Sequence, residues 1–324
     1  MASHDSRIPQ AAKMTFSQLK TFLEVARQGS VRGAAASLLI TEPSVSAALA
    51  ALRDELQVAL VARDGRGIRL TPAGSELARY AAQILGLTEQ AVRRTREAAG
   101  QAAPLNLVAV TTAGEYVLPP ILKIFREAHR DVQLRMEVGN RATVVERITA
   151  READLGFGGR PPEGRGIRGV PFLDNELIVV APHDHAYGEE DSVDPALLAT
   201  ETWLVREPGS GTRETTQEFW AQNGFQVGSA MTLGSNGAVK QAAAAGLGVA
   251  LISAHAVTGE LASGALCRLP VAGTPLRRSW YVLYLEADPL SGSCIQFLDL
   301  LSSEKARTAV DAWFGGAGAR PARL

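Results

Sequence analysis

In TFSQLKTFLEVARQGS, residues 15–30, the apolar residues Phe16, Leu19, Phe22, Leu23 and Ala26 recur at intervals of three and four, the mark of one buried helix face. Thr15 stands where an N-cap belongs and Gly29 where a helix stops. SVRGAAASLLI, opening on Ser30, reads as a short second helix. TEPSVSAALAALRDEL, residues 41–56, reads as a third: Thr41 caps it, and Pro43 lies in the first turn, where a missing N–H costs nothing. Its buried stripe is Val45, Leu49, Leu52 and Leu56, and its exposed start carries the small residues Ser44, Ser46, Ala47 and Ala48. In LVARDGRGIRLTPAG, Asp64-Gly65 folds two short strand-like runs into a hairpin.

Three short helices with a tight turn before the third match a helix-turn-helix, whose third helix would enter a DNA major groove. The hairpin becomes a basic wing, with Arg63, Arg66 and Arg69 placed to reach phosphates. Arg32, Thr41, Glu42, Pro43, Ser44, Ser46, Ala47 and Arg53 complete the candidate DNA contacts. A small helical bundle with a solvated basic hairpin would show the same pattern.

TPAGSELARYAAQILGLTEQAVRRTREAAG, residues 71–100, reads as one long helix capped by Thr71 with Pro72 at its first position. Leu77, Ile84 and Ala91 are seven apart, with Tyr80, Ala81 and Leu87 between them. That heptad-like seam is expected to pair two chains, the alternative being a helix packed on its own domain.

From residue 104 the period changes. LNLVAVTT, VQLRMEVG and ADLGFGG read as strands, alternating with the helical runs GEYVLPPILKIFREAH and RATVVERITARE. The alternation returns after residue 176, and it implies a parallel sheet with helices on both faces. Ligands of such sheets bind where strands end and helices begin. Those junctions hold Thr111, Thr112, Asn140, Arg141, Ser210, Gly211, Thr212, Arg213, Ser235 and Asn236, the candidate ligand-binding set. REPGSGTRET, residues 206–215, is the richest of them: glycines let successive N–H groups turn inward, a helix N-terminus adds partial positive charge, Ser210 and Thr212 offer hydroxyls, and Arg213 offers a guanidinium. The plainer alternative is that Ser210 and Thr212 only cap the helix, that Arg206 is an exposed charge, and that Arg213 points outward.

Composition narrows the classes. With 46% hydrophobic and 21% charged residues the chain is globular, and its length suits two or three domains. Cys267 and Cys294 lack CxxC spacing, which argues against a disulfide framework or a zinc site. His4, His129, His183, His185 and His255 are scattered, and His183-Asp184-His185 follows a strand as a turn would. No metal site or cofactor is expected. No run approaches ~18 consecutive apolar residues, and the start MASHDSRIPQAAK has no apolar core, so a cytoplasmic protein without membrane or secretory segments is expected. The net charge of −1 divides unevenly: 13 Lys/Arg face 9 Asp/Glu through residue 103, and the remainder is net −5, a balance that suits a polyanion partner for the front of the chain. The ligand loop is not a G-x-x-x-x-G-K-[ST] cradle, there is no G-x-S-x-G elbow, and no nucleophile–base constellation is visible, so no enzyme activity is expected. Two rivals remain open: a metabolite-binding protein without a DNA role, and an anion-using enzyme carrying a regulatory head.

Residues 16–74, above all GSVRGAAASLLITEPSVSAALAALRDEL followed by RLTPAG, resemble the winged helix-turn-helix of LysR-type transcriptional regulators. The family usually has glutamine where this chain has Glu42, and a longer polar or basic residue where it has Ala47; a carboxylate at the helix start accepts from a cytosine amine but repels phosphate, so the departure bears on base preference. Residues 104–304 resemble the family's effector domain. The resemblance implies an α/β multidomain protein: a flexible N-terminus (1–14), a winged helix-turn-helix (15–70), a long linker and dimerisation helix (71–100), a two-subdomain effector domain of periplasmic-binding-protein type (104–304), and a tail (305–324) with a disordered end. The first lobe would take 104–179 and 274–304 and the second 180–273, with crossings near 178–181 and 271–275. VGNR at 138–141, GGRPPE at 158–163, VVAPHDH, REPGSGTR and the long run at 233–253 resemble regulators of Calvin-cycle (RuBisCO) operons, from which Gly237 departs where relatives carry a larger residue. The resemblance implies double-stranded promoter DNA, a small anionic effector sensed in the cleft (a phosphorylated metabolite as in the Calvin-cycle regulators, the alternative being a non-phosphorylated small molecule), RNA polymerase, and homodimers that assemble into a homotetramer.

Overall fold

Thr15 opens the first helix with a reciprocal cap: its side chain accepts from the Gln18 N–H, while the Gln18 side chain accepts from the Thr15 N–H. In this computed structural model, which describes residues 13–318 apart from 66 and 102, the chain divides into two units at Arg93/Arg94. The first unit holds α1 (Phe16–Gln28), α2 (Val31–Leu38), α3 (Glu42–Leu56), the antiparallel hairpin β1 (Val61–Asp64) and β2 (Gly67–Leu70), and the start of α4 (Pro72–Ala98). Ser30 caps α2 and Thr41 caps α3, and the two helices meet at 112°, the crossing of a helix-turn-helix.

Phe22, Leu19 and Leu52 form the centre of the head's core, where each fully buried side chain contributes about 1.5–3 kcal/mol. Gly29, left-handed at φ 62°, ends α1 and accepts the Ile68 N–H at 2.7 Å, which ties β2 to the end of the first helix. Thr71 caps α4 from both sides: its hydroxyl accepts from the Gly74 N–H and donates to the Ala59 carbonyl. Gly74 is there for proximity, since a Cβ would lie 1.9 Å from the Leu60 carbonyl oxygen.

The second unit has two lobes. Lobe one contains β3 (Leu105–Val110), a π-helical turn (Ala113–Val117), α5 (Leu118–Ala128), β4 (Leu134–Gly139), α6 (Arg141–Thr149) and β5 (Leu155–Gly158). The long strand β6 (Ile167–Pro182) leads to lobe two: a 3-10 turn (Pro195–Thr200), β7 (Thr202–Arg206), α7 (Gly211–Gln222), β8 (Ser229–Leu233), α8 (Asn236–Ala244), β9 (Ala250–Ser253), α9 (Ala254–Ala262) and β10 (Leu266–Leu269). The chain returns through β11 (Leu276–Leu285) and ends in α10 (Gly292–Ser302) and α11 (Glu304–Gly318).

Strand order in the main sheet is β10-β6-β11-β5-β3-β4, with β9 also on β6. The pairs β3–β4, β3–β5 and β7–β8 are parallel, as the alternation of strand and helix predicts. The strands that join the lobes are antiparallel: β6 runs against β11 along the length of the latter, from Leu177↔Leu276 to Ile167↔Leu285. β6 meets the lobe-two strand β9 from Leu177 onward, and β11 meets the lobe-one strand β5 from Tyr281 onward. The lobes therefore exchange over about residues 173–177 and 276–280, a few residues from the crossings expected at 178–181 and 271–275, because the switch occurs inside two paired strands and not in loops. A register shift between Trp280 and Tyr281 marks the bend.

The ending also differs from expectation. Residues 305–318 of the expected tail belong to α11, which packs on α5 and α9 and buries Ala306 and Val310. The Ala/Gly-rich composition hides three apolar positions, Ala306, Val310 and Phe314, spaced by four. Residues 319–324, and 1–12 of the expected flexible N-terminus, lie outside the described residues.

Candidate functional site

At the start of α3 the side chains of Glu42, Pro43, Ser44, Ser46 and Ala47 are exposed, while Val45 turns inward and is fully buried. Small side chains on an exposed helix start leave room for the close approach of a base-pair edge. The Thr41 hydroxyl is already engaged, bonded to the Ser44 N–H and 2.8 Å from the Ser44 hydroxyl. Arg32, Arg63 and Arg69 are exposed, and Arg53 is exposed but paired with Asp54. Arg66 lies outside the described residues.

The α4 seam needs a correction. Ala81 is fully buried, and Leu77 packs beside it in the core of the head with Leu19, Phe22 and Leu52. The residues left outside are Tyr80, Ile84 and Leu87, at 50%, 38% and 51% exposure, with Ala91 exposed on the same line. Their spacing of four, three and four continues one stripe, which the heptad count merged with the face that packs inward.

In the second unit a cavity of about 700 Å³ opens between the lobes. Of the junction residues, Thr111, Thr112, Asn140, Arg141, Ser210, Gly211 and Thr212 line it. Thr112 sits at the end of β3, before the π-helical turn, and is 5% exposed. Asn140 caps α6 by accepting the Thr143 N–H, and so places Arg141 at the cleft edge. Gly209, at φ 85°, turns the loop before α7 so closely past lobe one that an added Cβ would sit 3.4 Å from Asn140 Nδ2. Ser210 is buried at the N-cap of α7 yet makes no side-chain cap bond among the described residues. The first helical bond there is Glu214 N–H to Ser210 oxygen, so the N–H groups of Gly211, Thr212 and Arg213 precede the ladder.

Three junction residues do not line the cavity. Arg213 donates to the Arg206 carbonyl at 2.8 Å and to the Thr232 hydroxyl at 3.2 Å, bracing the ends of β7 and β8. Ser235 caps α8. Asn236 is fully buried behind the wall, donating to Thr112 Oγ1 at 2.8 Å and accepting from Arg206.

Arg206, read from the sequence as a possible exposed charge, is 5% exposed and lines the cleft. Glu207 holds it in a two-point ion pair, at 2.7 and 3.0 Å, which a buried guanidinium requires. Sequence reasoning also missed the wall from β11: Arg278, paired with Glu218 of α7 at 2.7 Å, and Trp280 beside it. Arg141 faces Glu214 at 3.8 Å. The cleft is thus lined by guanidiniums, of which Arg141 and Arg278 meet carboxylates of α7 and Arg277 meets Glu176 of β6. Among the described residues no group of three or more His, Cys, Asp and Glu side chains could hold a metal, and no single helix is long and apolar enough to cross a membrane.

Residues 16–75 match the model of the bacterial regulatory helix-turn-helix proteins of the lysR family, and residues 98–306 match the LysR substrate binding domain. The chain is a LysR-type transcriptional regulator. This LysR-type regulator is 35% identical to the RuBisCO operon transcriptional regulator of Allochromatium vinosum over 90% of its own length and 96% of the relative's. It is 34% identical to the transcriptional activator CmpR of Synechocystis, over 89% and 94%. These relatives are named as regulators, not enzymes, which sets aside the catalytic rival. Among solved structures, the regulatory domain of Synechocystis CcmR in complex with 2-PG covers 61% of the LysR-type chain and 95% of its own, at 34% identity and a TM-score of 0.59. CbnR, at 20% identity and a TM-score of 0.63 over 92% of this chain, shares the fold.

Proposed function

We propose that this regulator reads a small phosphorylated carboxylate of the 2-phosphoglycolate class in the cleft between its lobes, and that the bound anion shifts its engagement with promoter DNA. The observation that carries the reading is the start of α7: three N–H groups ahead of the helical ladder, the uncapped Ser210 hydroxyl, and the buried Arg206 guanidinium, all facing Thr112 across the cleft. A phosphate is bound by such a set through charge-assisted bonds and the helix dipole. The 2-PG bound by the CcmR regulatory domain supports the same chemistry. The 700 Å³ cavity has room for more than a phosphate, and Arg278, held by Glu218 further along α7, suits a carboxylate at the other end, while Arg141 lies beside the start of α7.

The head supplies the output. The exposed start of α3 enters the major groove and the wing arginines contact phosphates. Tyr80, Ile84, Leu87 and Ala91 pair two chains, and two dimers on one promoter make the tetramer that the family suggests, with RNA polymerase as the further partner in the cytoplasm. The anion acts by linkage, since it changes DNA engagement only as far as it binds one arrangement better than the other.

Calorimetric titration of the full chain with 2-phosphoglycolate, glycolate and inorganic phosphate tests the effector. The two-ended anion is expected to bind more tightly than either fragment, and Thr112→Ala with Thr212→Ala is expected to weaken it at least about tenfold. Failure of every phosphate to bind, or equal binding by the double variant, overturns the reading.

A further inference from the structure

α11 begins close to the end of the matched substrate-binding domain, at residue 306, and its buried face is shared between the lobes. Ala306 and Val310, 3% and 1% exposed, complete the lobe-one core with α5 and α10. One turn later the Phe314 ring packs against His255, their centroids 4.7 Å apart and their planes tilted by 44°. His255 lies in the first turn of α9, whose Ala256 and Val257 are buried in the lobe-two core. Beyond the imidazole, the Trp280 indole N–H donates to His255 Nδ1 across a long 3.5 Å, and Trp280 is a wall of the cleft.

We infer that α11 is a clasp across the two lobes, and that Phe314, acting through His255, is a positioning residue for Trp280 in the effector cleft. The spacing 306, 310, 314 puts all three side chains on one helical face, and Phe314, which also packs against the lobe-one core, is the one that reaches α9 through His255. Trp280 occupies the register shift where β11 passes from one lobe to the other. Closure of two lobes around a ligand is a hinge motion taken up at such crossings. A helix attached to both lobes resists or follows that motion, and here its contact ends on the residue at the hinge. The inference takes the cleft to be the effector site, as proposed above.

Full-length protein labelled with 5-fluorotryptophan tests it by fluorine NMR, with the Trp280 signal assigned by Trp280→Phe. Phe314→Ala is expected to move the Trp280 resonance and to weaken 2-phosphoglycolate binding roughly tenfold. Trp313→Ala, an exposed neighbour on the same helix, is expected to do neither. Phe314→Leu keeps apolar volume should the alanine variant unfold, and it is expected to shift the resonance as well. An unmoved Trp280 resonance in a folded Phe314 variant, or equal effects of the Trp313 and Phe314 variants, overturns the clasp. If the unaltered protein binds no phosphate, the effector reading fails alone, and the clasp is decided by the resonance.

Discussion

Asn236 Nδ2 donates to Thr112 Oγ1 across 2.8 Å, joining α8 of lobe two to the end of β3 in lobe one across 124 residues of sequence. Both side chains are buried, and the Asn236 carbonyl oxygen also accepts from Arg206. The bond fixes the hydroxyl that faces the cleft and orients the buried guanidinium beside it. Asn236→Leu fills similar volume but removes the amide that donates to Thr112 and accepts from Arg206, which then keeps its Glu207 side. Unpaired buried polar groups cost about 1–3 kcal/mol each, more when charged. The variant is expected to lose about 2–4 kcal/mol of effector-domain stability in urea denaturation. A midpoint unchanged from the parent would show that the two lobes are not joined through this bond.

Gly74 carries a second prediction. α4 crosses Leu60 so closely that any Cβ at position 74 overlaps the Leu60 carbonyl. Gly74→Ala, which improves helix propensity, is therefore expected to destabilise the head by roughly 1–3 kcal/mol through forced backbone shifts. Thermal unfolding checks the sign, since a stabilised variant would mean that α4 does not pack on Leu60 in this way.

How far the sequence showed all this depends on the range of the interactions involved. The caps of the head (Thr15, Ser30, Thr41 and Thr71) were legible because a cap is completed within three residues. The cleft was legible as a set of strand–helix junctions, and seven of its ten expected residues line the cavity. Arg206 was not, because Glu207 beside it reads equally as an exposed pair, and the partner that meets it inside the wall, Asn236, comes thirty residues on. Arg213 was misplaced because the first turn of α7 aims it back at the β7 carbonyl end. Trp280 and Arg278 arrive only through the second lobe crossing. On α4, two apolar stripes interleave, and the sequence alone did not separate the inward pair Leu77 and Ala81 from the outward Tyr80, Ile84 and Leu87.

Those two stripes predict opposite outcomes for the same chemical change. Leu87→Glu, on the exposed stripe, is expected to yield a folded monomer in sedimentation experiments. Ala81→Glu places an unpaired carboxylate in the head's core and is expected to unfold the head. A Leu87→Glu protein that remains dimeric would remove this face from the pairing surface.

The wing arginines should act through charge alone. Arg63 and Arg69 are exposed on paired strands, opposite Ile68 and Ala62. Replacing each by alanine is expected to weaken specific and non-specific DNA binding alike. Each loss should make the slope of log K against log salt shallower by about 0.9. An altered sequence preference with an unchanged slope would mean that these side chains read bases and not phosphates.

His255 gives the chain a pH dependence of definite sign. Burial pushes its pKa below the ordinary 6.5, against the smaller opposing pull of Asp311 on α11 and Glu176 on β6. A depressed pKa means that the unfolded chain takes up a proton that the folded one refuses. Stability therefore falls as pH drops below about 6.5 towards the folded value, and above that window the group contributes no slope. The loss is at most about 1.4 kcal/mol per pH unit. Protonation at Nδ1 also removes the acceptor for the Trp280 indole N–H. His255→Gln does not titrate, so its urea midpoints between pH 7.5 and 5.5 should fall less steeply than those of the parent. Parallel curves for the two proteins would show that the imidazole under Phe314 is solvated well enough to accept its proton without penalty.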